Sequence, residues 1–250
     1  MRTRIKSGAL TAVFMRSFLV QGSWNYHTML GSGFAFAMLP GLRSLYQDDE
    51  DKLEERLERH SEHFNAHPYL TGIALGASLR LEADSAGAET VRSFKTAVRG
   101  PLGSLGDSLV WATWLPGISV LALAIYWLGL PGSWSALVFL LVFNAGHLGL
   151  RIWGFRVGYS EGRDVGRKLK AVDLSGLTAR LRRVAVLFLG LLVGVLLGAE
   201  GGLSSAGLLW VLLSVAGFAV GLLAGHYAWR PAATTLVVSI VLLTTWGLLR

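Results

Sequence analysis

Of the 250 residues, 52% are hydrophobic and 16% are charged, whereas charged residues make up about 25% of an average soluble domain. Residues 108–150 carry no Asp, Glu, Lys or Arg, and residues 184–229 carry only Glu200. Because a helix needs about 20 apolar residues to cross a membrane, this composition excludes an ordinary soluble domain and predicts an all-α integral membrane protein. The absence of cysteine also excludes disulfides and thiolate metal sites.

The first 47 residues combine an apolar, aromatic sequence with several helix-breaking positions, namely Gly22, Gly31, Gly33 and Pro40. These breaks are too frequent for an ordinary spanning helix, so we expect a re-entrant or interfacial element. Irregular backbone at membrane depth needs surrounding protein, since lipid offers it no hydrogen bonds. The three glycines are therefore predicted to be buried against a partner subunit.

Two short helices are predicted next. Residues 48–66 are amphipathic and begin with acidic residues, which the positive end of a helix dipole favours. Residues 68–82 form a second helix, which starts at Pro68 and packs closely through Gly72 and Gly76. The polar residues 83–99 are predicted to be a loop.

The remainder of the chain is predicted to consist mainly of membrane spans. Gly103 and Gly106 belong to a glycine-rich stretch, residues 100–108, just before the first span. About five C-terminal transmembrane helices are predicted, at 109–130, 133–153, 184–203, 206–227 and 231–249, with a kink at Pro116. We interpret the chain as one membrane domain, 1–250, made of a re-entrant and amphipathic helical region at 1–99, a first transmembrane hairpin at 100–153, a basic cytoplasmic loop at 154–183 and C-terminal transmembrane helices at 184–250.

The net charge of +7 is concentrated in one stretch, because residues 151–183 contain nine Lys and Arg. Nucleic-acid binding is disfavoured, since the basic residues of 160–183 have no interleaved aromatic residues on which bases could stack. A cytoplasmic loop beside membrane spans explains the same charge through the positive-inside rule. The sequence therefore predicts a multi-pass protein in contact with the lipid bilayer, with this loop on the inner side.

Six polar or aromatic residues in apolar or glycine-rich surroundings are candidates for a substrate path: Trp24, Asn25, His27, Asn65, His67 and Asp107. Amides and carboxylates can bind sugar hydroxyls, and an indole ring can stack on the apolar face of a sugar. An alternative explains the same residues without a ligand. In that interpretation Asn25 and Asn65 cap helices and the tryptophans form an interfacial belt. The residues alone leave both open.

No catalytic or cofactor site is predicted. His63 and His67 are four residues apart, but Pro68 places His67 beyond a helix end, which disfavours a metal site. The esterase-like string Gly106-Asp107-Ser108-Leu109 lacks the downstream Asp-x-x-His that would supply a base. The predicted spans also lack the several ionisable groups of an ion-coupled carrier, so energy would have to come from a partner.

Four blocks of sequence, taken together, resemble one known family. They begin RSFLVQGSWNYHTMLGSGF, RHSEHFNAHPYLTGIALG, GPLGSLGDSLVWATWLPG and FNAGHLGLRIWGFRVGYSE, and they follow one another in the same order as in that family. The chain resembles the IID component of the mannose/fructose/sorbose family of the bacterial phosphotransferase system. The resemblance covers residues 16 to about 166, and the last 80 residues match only as hydrophobic spans.

The resemblance implies a non-catalytic subunit of a bacterial inner-membrane sugar permease. It implies a IIC subunit as partner in forming the hexose path, soluble IIA and IIB proteins as phosphoryl carriers, and a higher oligomer of the IIC–IID unit. The family motif falls on Trp24, Asn25, Asn65, His67, Pro68, Gly106 and Asp107, with Gly22, Pro40 and Gly103 as structural positions.

The chain departs from the family at three places: at His27-Thr28, where relatives commonly carry Glu-Arg; at Leu115, where they carry Arg; and in a short connection around Glu200. A degenerate homologue that holds IIA or IIB for signalling is therefore an open alternative.

Overall fold

The computed structural model describes residues 5–199, and these are almost entirely helical. The α-helices are α1 (Ser7–Arg16), α2 (Gly31–Leu45), α3 (Glu50–Ser61), α4 (Thr71–Ala83), α5 (Ala88–Gly106), α6 (Leu115–Trp127), α7 (Gly132–Glu161), α8 (Val165–Val172) and α9 (Leu174–Ala199). Two 3₁₀ turns, Ser17–Leu19 and Gly162–Asp164, and a π-helical segment, Asp107–Trp114, complete the order. The predicted all-α class is confirmed for the described residues.

Two helical stretches in the described part of the chain are long and apolar enough to cross a membrane, Ala88–Trp127 and Gly132–Gly194. They contain most of the first predicted span, all of the second and the start of the third. The predicted spans at 206–227 and 231–249 lie outside the described residues, so the number of five stays a prediction. Instead of a simple kink at Pro116, the structure has eight residues of π-helix directly before α6.

Helix α4 lies at the centre of the compact unit that ends at Leu189, and all of its residues except Arg80 are buried. It packs against α7 through glycines on both helices. A Cβ on Gly76 would overlap the backbone of Phe155, and a Cβ on Gly158 would overlap the carbonyl of Ile73. Small residues four apart let two backbones approach closely, so the predicted packing role of Gly72 and Gly76 is confirmed.

The N-terminal region folds onto its own chain. A Cβ on Gly31 would overlap the carbonyls of Ser61 and Glu62, and a Cβ on Gly33 would overlap the backbone of Val20. The prediction that these glycines require a partner subunit was therefore wrong for Gly31 and Gly33, because neighbouring turns of the same chain cover them. Gly22 is exposed and has only the Leu19 carbonyl nearby.

Pro40 lies inside α2, where its lack of an N–H leaves the carbonyl of Phe36 without its usual helical donor. Arg16 supplies the missing hydrogen bond, since its Nη1 donates to that oxygen at 3.2 Å. The same guanidinium lies 4.6 Å from the centre of the Phe36 ring. The end of α1 therefore stabilises the interrupted turn of α2, and residues 31–45 form one continuous helix.

The predicted loop at 83–99 was wrong, because α5 begins at Ala88. Its polar residues form the outer face of an amphipathic helix, whose buried face contains Val91, Phe94, Lys95 and Leu102. The predicted amphipathic helix at 48–66 is confirmed as α3, which is capped by Asp49, whose carboxylate accepts a hydrogen bond from the N–H of Lys52. Phe64 lies beyond the end of α3 and is buried.

A buried ionic cluster joins α3, α4 and α5. The Glu82 carboxylate accepts hydrogen bonds from Arg59 Nε at 3.0 Å and from His60 Nε2 at 2.8 Å. Burial by itself raises the pKa of Glu82, but the bonds from His60 and Arg59 outweigh it and hold the pKa below its usual value. Burial lowers the pKa of His60, so Glu82 is an ionised carboxylate and His60 a neutral imidazole. Lys95 Nζ donates to the Arg59 carbonyl at 2.7 Å.

The basic stretch predicted as a loop at 154–183 is largely helical. Helix α7 continues to Glu161, and a short turn leads into α8, which ends at Asp173 in a left-handed conformation with φ of 51°. Helix α9 then begins at Leu174, so the connection between the two long helices consists of residues 162–173.

Candidate functional site

The loop before α2 is held by a single asparagine side chain. Asn25 Oδ1 accepts hydrogen bonds from the N–H groups of His27 at 3.0 Å and Thr28 at 2.9 Å. Its Nδ2 donates to Thr28 Oγ1 at 2.9 Å and to the Ser23 carbonyl at 3.2 Å. Asparagine commonly stabilises turns in this way. Both polar atoms of the Asn25 amide are therefore engaged within the loop.

This turn presents aromatic side chains to the outside. Trp24 is 46% exposed and Tyr26 is 84% exposed, and their rings meet edge to face with centres 4.8 Å apart. The His27 side chain is also exposed. Large rings held at a fixed, exposed position lose little conformational entropy when they bind a partner or ligand.

The loop is joined to the segment that follows α3. The N–H of Leu30 donates to the Phe64 carbonyl at 2.8 Å, and the N–H of Phe64 donates to the Thr28 carbonyl at 3.1 Å. Asn65 comes directly after this pairing, so it lies beside the loop. Its side chain is exposed and has no hydrogen-bond partner within the described residues. Unlike Asn25, Asn65 has a free amide, and it caps no helix.

His67 is buried, with 2% of its surface exposed, and it organises the start of α4. Its carbonyl accepts from the N–H groups of Leu70 and Thr71, and its Nδ1 accepts from the N–H of Tyr69 at 3.2 Å. Burial lowers the pKa of His67 to about 4, so the ring is neutral and carries its proton on Nε2. Nε2 is buried without a hydrogen-bond partner. His67 lies outside a helix, as predicted, but the predicted helix start at Pro68 was wrong, because α4 begins at Thr71.

The glycine-rich stretch of α5 packs against this histidine. A Cβ on Gly106 would overlap the His67 side chain, and a Cβ on Gly103 would lie 4.0 Å from Cα of Ala66. Asp107 is exposed at the start of the π-helical segment, and its charge acts on the His67 ring. Gly106 therefore allows the approach of α5 that brings Asp107 beside the segment after α3.

The structure thus gathers the predicted residues around residues 64–68. The loop of Trp24, Asn25 and His27 pairs with the beginning of this segment, and Gly106 and Asp107 pack beside its end. Asn65 and Asp107 offer free polar groups, whereas the Asn25 amide and the His67 ring support the backbone. His60 and His63 bind elsewhere: His60 binds Glu82, and His63 is hydrogen-bonded to Arg99.

An arrangement of exposed amide, carboxylate and indole groups can bind a polyhydroxylated ligand. Comparison with known proteins identifies the family to which the chain belongs. The family model described as "PTS system mannose/fructose/sorbose family IID component" matches residues 4–223. The chain belongs to this family. The match confirms the resemblance in the sequence and extends beyond residue 166.

Among the relatives of this IID component, the mannose-specific EIID component of Escherichia coli strain K12 is 33% identical over 196 residues, which cover 76% of this chain and 68% of the relative. The sorbose-specific EIID component of Lacticaseibacillus casei is 30% identical over 199 residues, which cover 77% and 69%. A solved chain from the complex of the mannose transporter ManYZ with microcin E492 is 31% identical, with a TM-score of 0.60 over 76% of this chain and 70% of that chain.

One polar centre of this IID component was missed in the sequence. Arg151 is only 5% exposed, yet it contacts no carboxylate in the described part of the chain. Its Nε donates to His147 Nε2 at 2.7 Å, and its Nη1 donates to the Ser17 carbonyl at 3.1 Å. The guanidinium lies 4.7 Å from the ring centre of Phe18 and 5.0 Å from that of Tyr69.

Arg151 on α7 thereby contacts both the turn after α1 and the turn before α4. Aromatic faces attract cations, so the two rings partly balance a charge that would otherwise be costly to bury. The i,i+4 spacing of His147 and Arg151 was the available signal. The partners at Ser17 and Phe18 are more than 120 residues away, and no local pattern indicates them.

Proposed function

We propose that this IID component forms, together with a IIC subunit, the hexose path of a phosphotransferase-system permease. The proposal is carried by the family match over residues 4–223, together with relatives named as components of mannose-, fructose- and sorbose-specific systems. Phosphoryl transfer is assigned to soluble IIA and IIB proteins, and this chain acts as a non-catalytic subunit. The expected location is the bacterial inner membrane, with several passes and a higher oligomer of the IIC–IID unit.

Within this chain, the proposed contribution to the sugar path is the exposed surface around residues 64–68. The Asn65 amide and the Asp107 carboxylate hydrogen-bond sugar hydroxyls, and Trp24 offers a ring face for the apolar side of the sugar. The supporting observation is that Asn65 has a free, exposed side chain, whereas the amide of Asn25 in the neighbouring loop is fully hydrogen-bonded. Asn25 and His67 act indirectly, by holding the backbone on which these groups stand, and His27 adds a second exposed polar ring.

Replacement of two asparagines tests this division of roles. Asn65→Ala should leave a sugar hydroxyl unpaired and cost about 1–3 kcal/mol, or roughly ten- to hundredfold in affinity, without changing the melting temperature. Asn25→Ala removes the bonds that hold the turn and should lower the melting temperature of the complex. Asn144→Ala is the matched control, since Asn144 is an exposed asparagine on α7 whose amide donates to the Leu140 carbonyl.

The measurements are hexose binding and thermal unfolding of the chain purified with its IIC subunit. Unchanged hexose affinity in Asn65→Ala would remove Asn65 from the path. Absence of hexose binding by the wild-type complex would refute the transport function itself. The alternative signalling role is not supported by any feature of the described residues or by the names of the relatives.

A further inference from the structure

An apolar groove lies between the π-helical segment, α7 and the start of α9, outside the proposed sugar surface. Its volume is about 430 Å³, within the range of about 300–1,000 Å³ found for small-molecule sites. Leu109 and Trp114 line it from the π-helical segment, His147 and Trp153 from α7, and Leu177 and Leu181 from α9. The walls are almost wholly apolar, which disfavours a sugar as occupant.

The two ends of the groove differ in polarity. Leu109 and Trp153 lie toward the basic connection of residues 162–173, whereas Trp114 and Gly146 lie farther along their helices, away from it. At the basic end, Arg182 Nη2 donates to Ser108 Oγ at 3.4 Å, next to Leu109. The groove therefore runs from a cationic end into an apolar interior.

The arginines of α9 stand on either side of this groove. Leu177 and Leu181 face it, and at about 100° per residue Arg180 lies about 80° to one side of that face. Arg182 lies about 120° to the other side, and its hydrogen bond to Ser108 brings its guanidinium to the edge of the groove. Arg183 falls on the far side of the helix. The side chains of Arg180, Arg182 and Arg183 are exposed, and none of them has a carboxylate partner among the described residues.

The π-helical segment shapes the opposite wall. Its wider turn is stabilised by Thr113 Oγ1, which donates to the Ser108 carbonyl at 2.8 Å. π-Helical turns are rare and frequently occur at functional sites. Here the segment carries both Leu109 and Trp114 to the groove and leaves the Ser108 hydroxyl beside the arginine.

We propose that this groove binds one anionic phospholipid, with an acyl chain along the apolar walls and the phosphate beside Arg182 and the Ser108 hydroxyl, while Arg180 adds positive charge on the other side of α9. Basic pockets between transmembrane helices on the cytoplasmic side bind anionic headgroups in this way. A partner helix is a poor fit, because an α-helix with its side chains is about 10–12 Å wide. The cationic end and the apolar interior match the two parts of a phospholipid.

Tryptophan fluorescence in the groove provides the test, since bromine atoms on an acyl chain quench an indole that they contact. The complex with the IIC subunit is placed in nanodiscs of phosphatidylcholine that contain increasing fractions of brominated phosphatidylglycerol or brominated phosphatidylcholine. The difference between wild type and Trp114→Phe isolates the signal from the groove. Trp134, which is 57% exposed at the other end of α7, gives the corresponding signal for bulk lipid through Trp134→Phe.

Brominated phosphatidylglycerol should quench Trp114 at a fraction roughly thirtyfold lower than brominated phosphatidylcholine, because the two arginines contribute about 1 kcal/mol each. The double variant Arg180→Gln, Arg182→Gln should abolish this preference. The control variant Lys168→Gln, Arg183→Gln loses the same charge away from the groove and should retain it. Trp134 should respond equally to both lipids in every variant.

A variant that fills the groove tests the position of the acyl chain separately. Gly149 lines the groove, and a Cβ there meets no atom within 4 Å, so Gly149→Leu should fit without disturbing the helices. It should abolish quenching of Trp114 by both brominated lipids. Three results would each overturn the proposal: equal quenching by the two lipids, loss of the preference in the control variant, or undiminished quenching in Gly149→Leu.

Discussion

The contact between α4 and α7 makes a sharp prediction about stability. At Gly158 an added Cβ would meet rigid backbone, since it would overlap the Ile73 carbonyl oxygen and lie 3.0 Å from the Ala77 nitrogen. At Gly149, on the same helix, an added Cβ meets no atom within 4 Å. The substitutions Gly158→Ala and Gly149→Ala therefore add the same methyl group to two different environments.

The two expected energies have opposite signs. Replacement of glycine by alanine in a helix gains about 0.5–1 kcal/mol from backbone propensity, and Gly149→Ala should show this gain. At Gly158 the same gain is outweighed by overpacking, which typically costs about 1–3 kcal/mol and more where backbone must move. Because the propensity gain is common to both variants, they should differ by the overpacking cost alone, about 1–3 kcal/mol or more, which corresponds to roughly 2–12 °C in melting temperature for a chain of this size.

Thermal unfolding of the complex with the IIC subunit, followed by tryptophan fluorescence, measures this difference. Gly154→Ala is an informative third variant, because its Cβ would approach only the Ile73 side chain, at 2.8 Å from Cγ1, and a side chain can rotate away. It should fall between the other two. Equal melting temperatures for Gly158→Ala and Gly149→Ala would show that α4 and α7 do not pack through their glycines.

Three further predictions concern charge. Glu82→Gln should lower the free energy of unfolding by about 3–5 kcal/mol, because it leaves the buried guanidinium of Arg59 unpaired. The control Glu62→Gln breaks an exposed pair with Arg92 and should cost at most about 1 kcal/mol in the same unfolding assay. The pKa of His67 is about 4 in the folded state, below its unfolded value of about 6.5, so the unfolded state binds a proton first as the pH falls. Stability should therefore be lost between about pH 6.5 and pH 4, and the lowered pKa of His60 acts in the same direction. His67→Gln should flatten the dependence of melting temperature on pH in this window. The variant Lys170→Cys should not react with a membrane-impermeant thiol reagent in intact cells, because the basic connection is predicted to be cytoplasmic. Labelling of this cysteine would place the connection on the outer side.

The sequence predicted those elements whose signals are local. The acidic start of α3 and the glycines of α4 indicated their helices correctly, because capping and close packing depend on residues within one or two turns. The loop predicted at 83–99 failed for the opposite reason. The buried face of α5 includes Lys95, a charged residue that is recognisable as buried only once the Arg59 carbonyl and the Phe34 ring are in place.

The candidate site shows the same limit. The sequence selected Asn25 and Asn65 as equivalent polar groups and could not separate a sugar contact from a structural role. The distinction depends on where the hydrogen bonds of each amide go, and those bonds involve the Ser23 carbonyl and the Thr28 hydroxyl. The pairing of Phe64 with the loop, which brings Asn65 beside it, joins residues more than 30 positions apart.

The family resemblance implies Glu-Arg at positions 27 and 28, and the structure shows what the departure to His27-Thr28 would change. Thr28 accepts a hydrogen bond from Asn25 Nδ2 and donates its N–H to Asn25 Oδ1. The loop therefore keeps its shape without the acidic and basic pair. The changed feature is the charge at the exposed position 27, where a histidine replaces a carboxylate. Since shape is preserved and surface charge is altered, the departure bears on which ligand or partner the loop meets, and it gives no reason to regard the fold as degenerate.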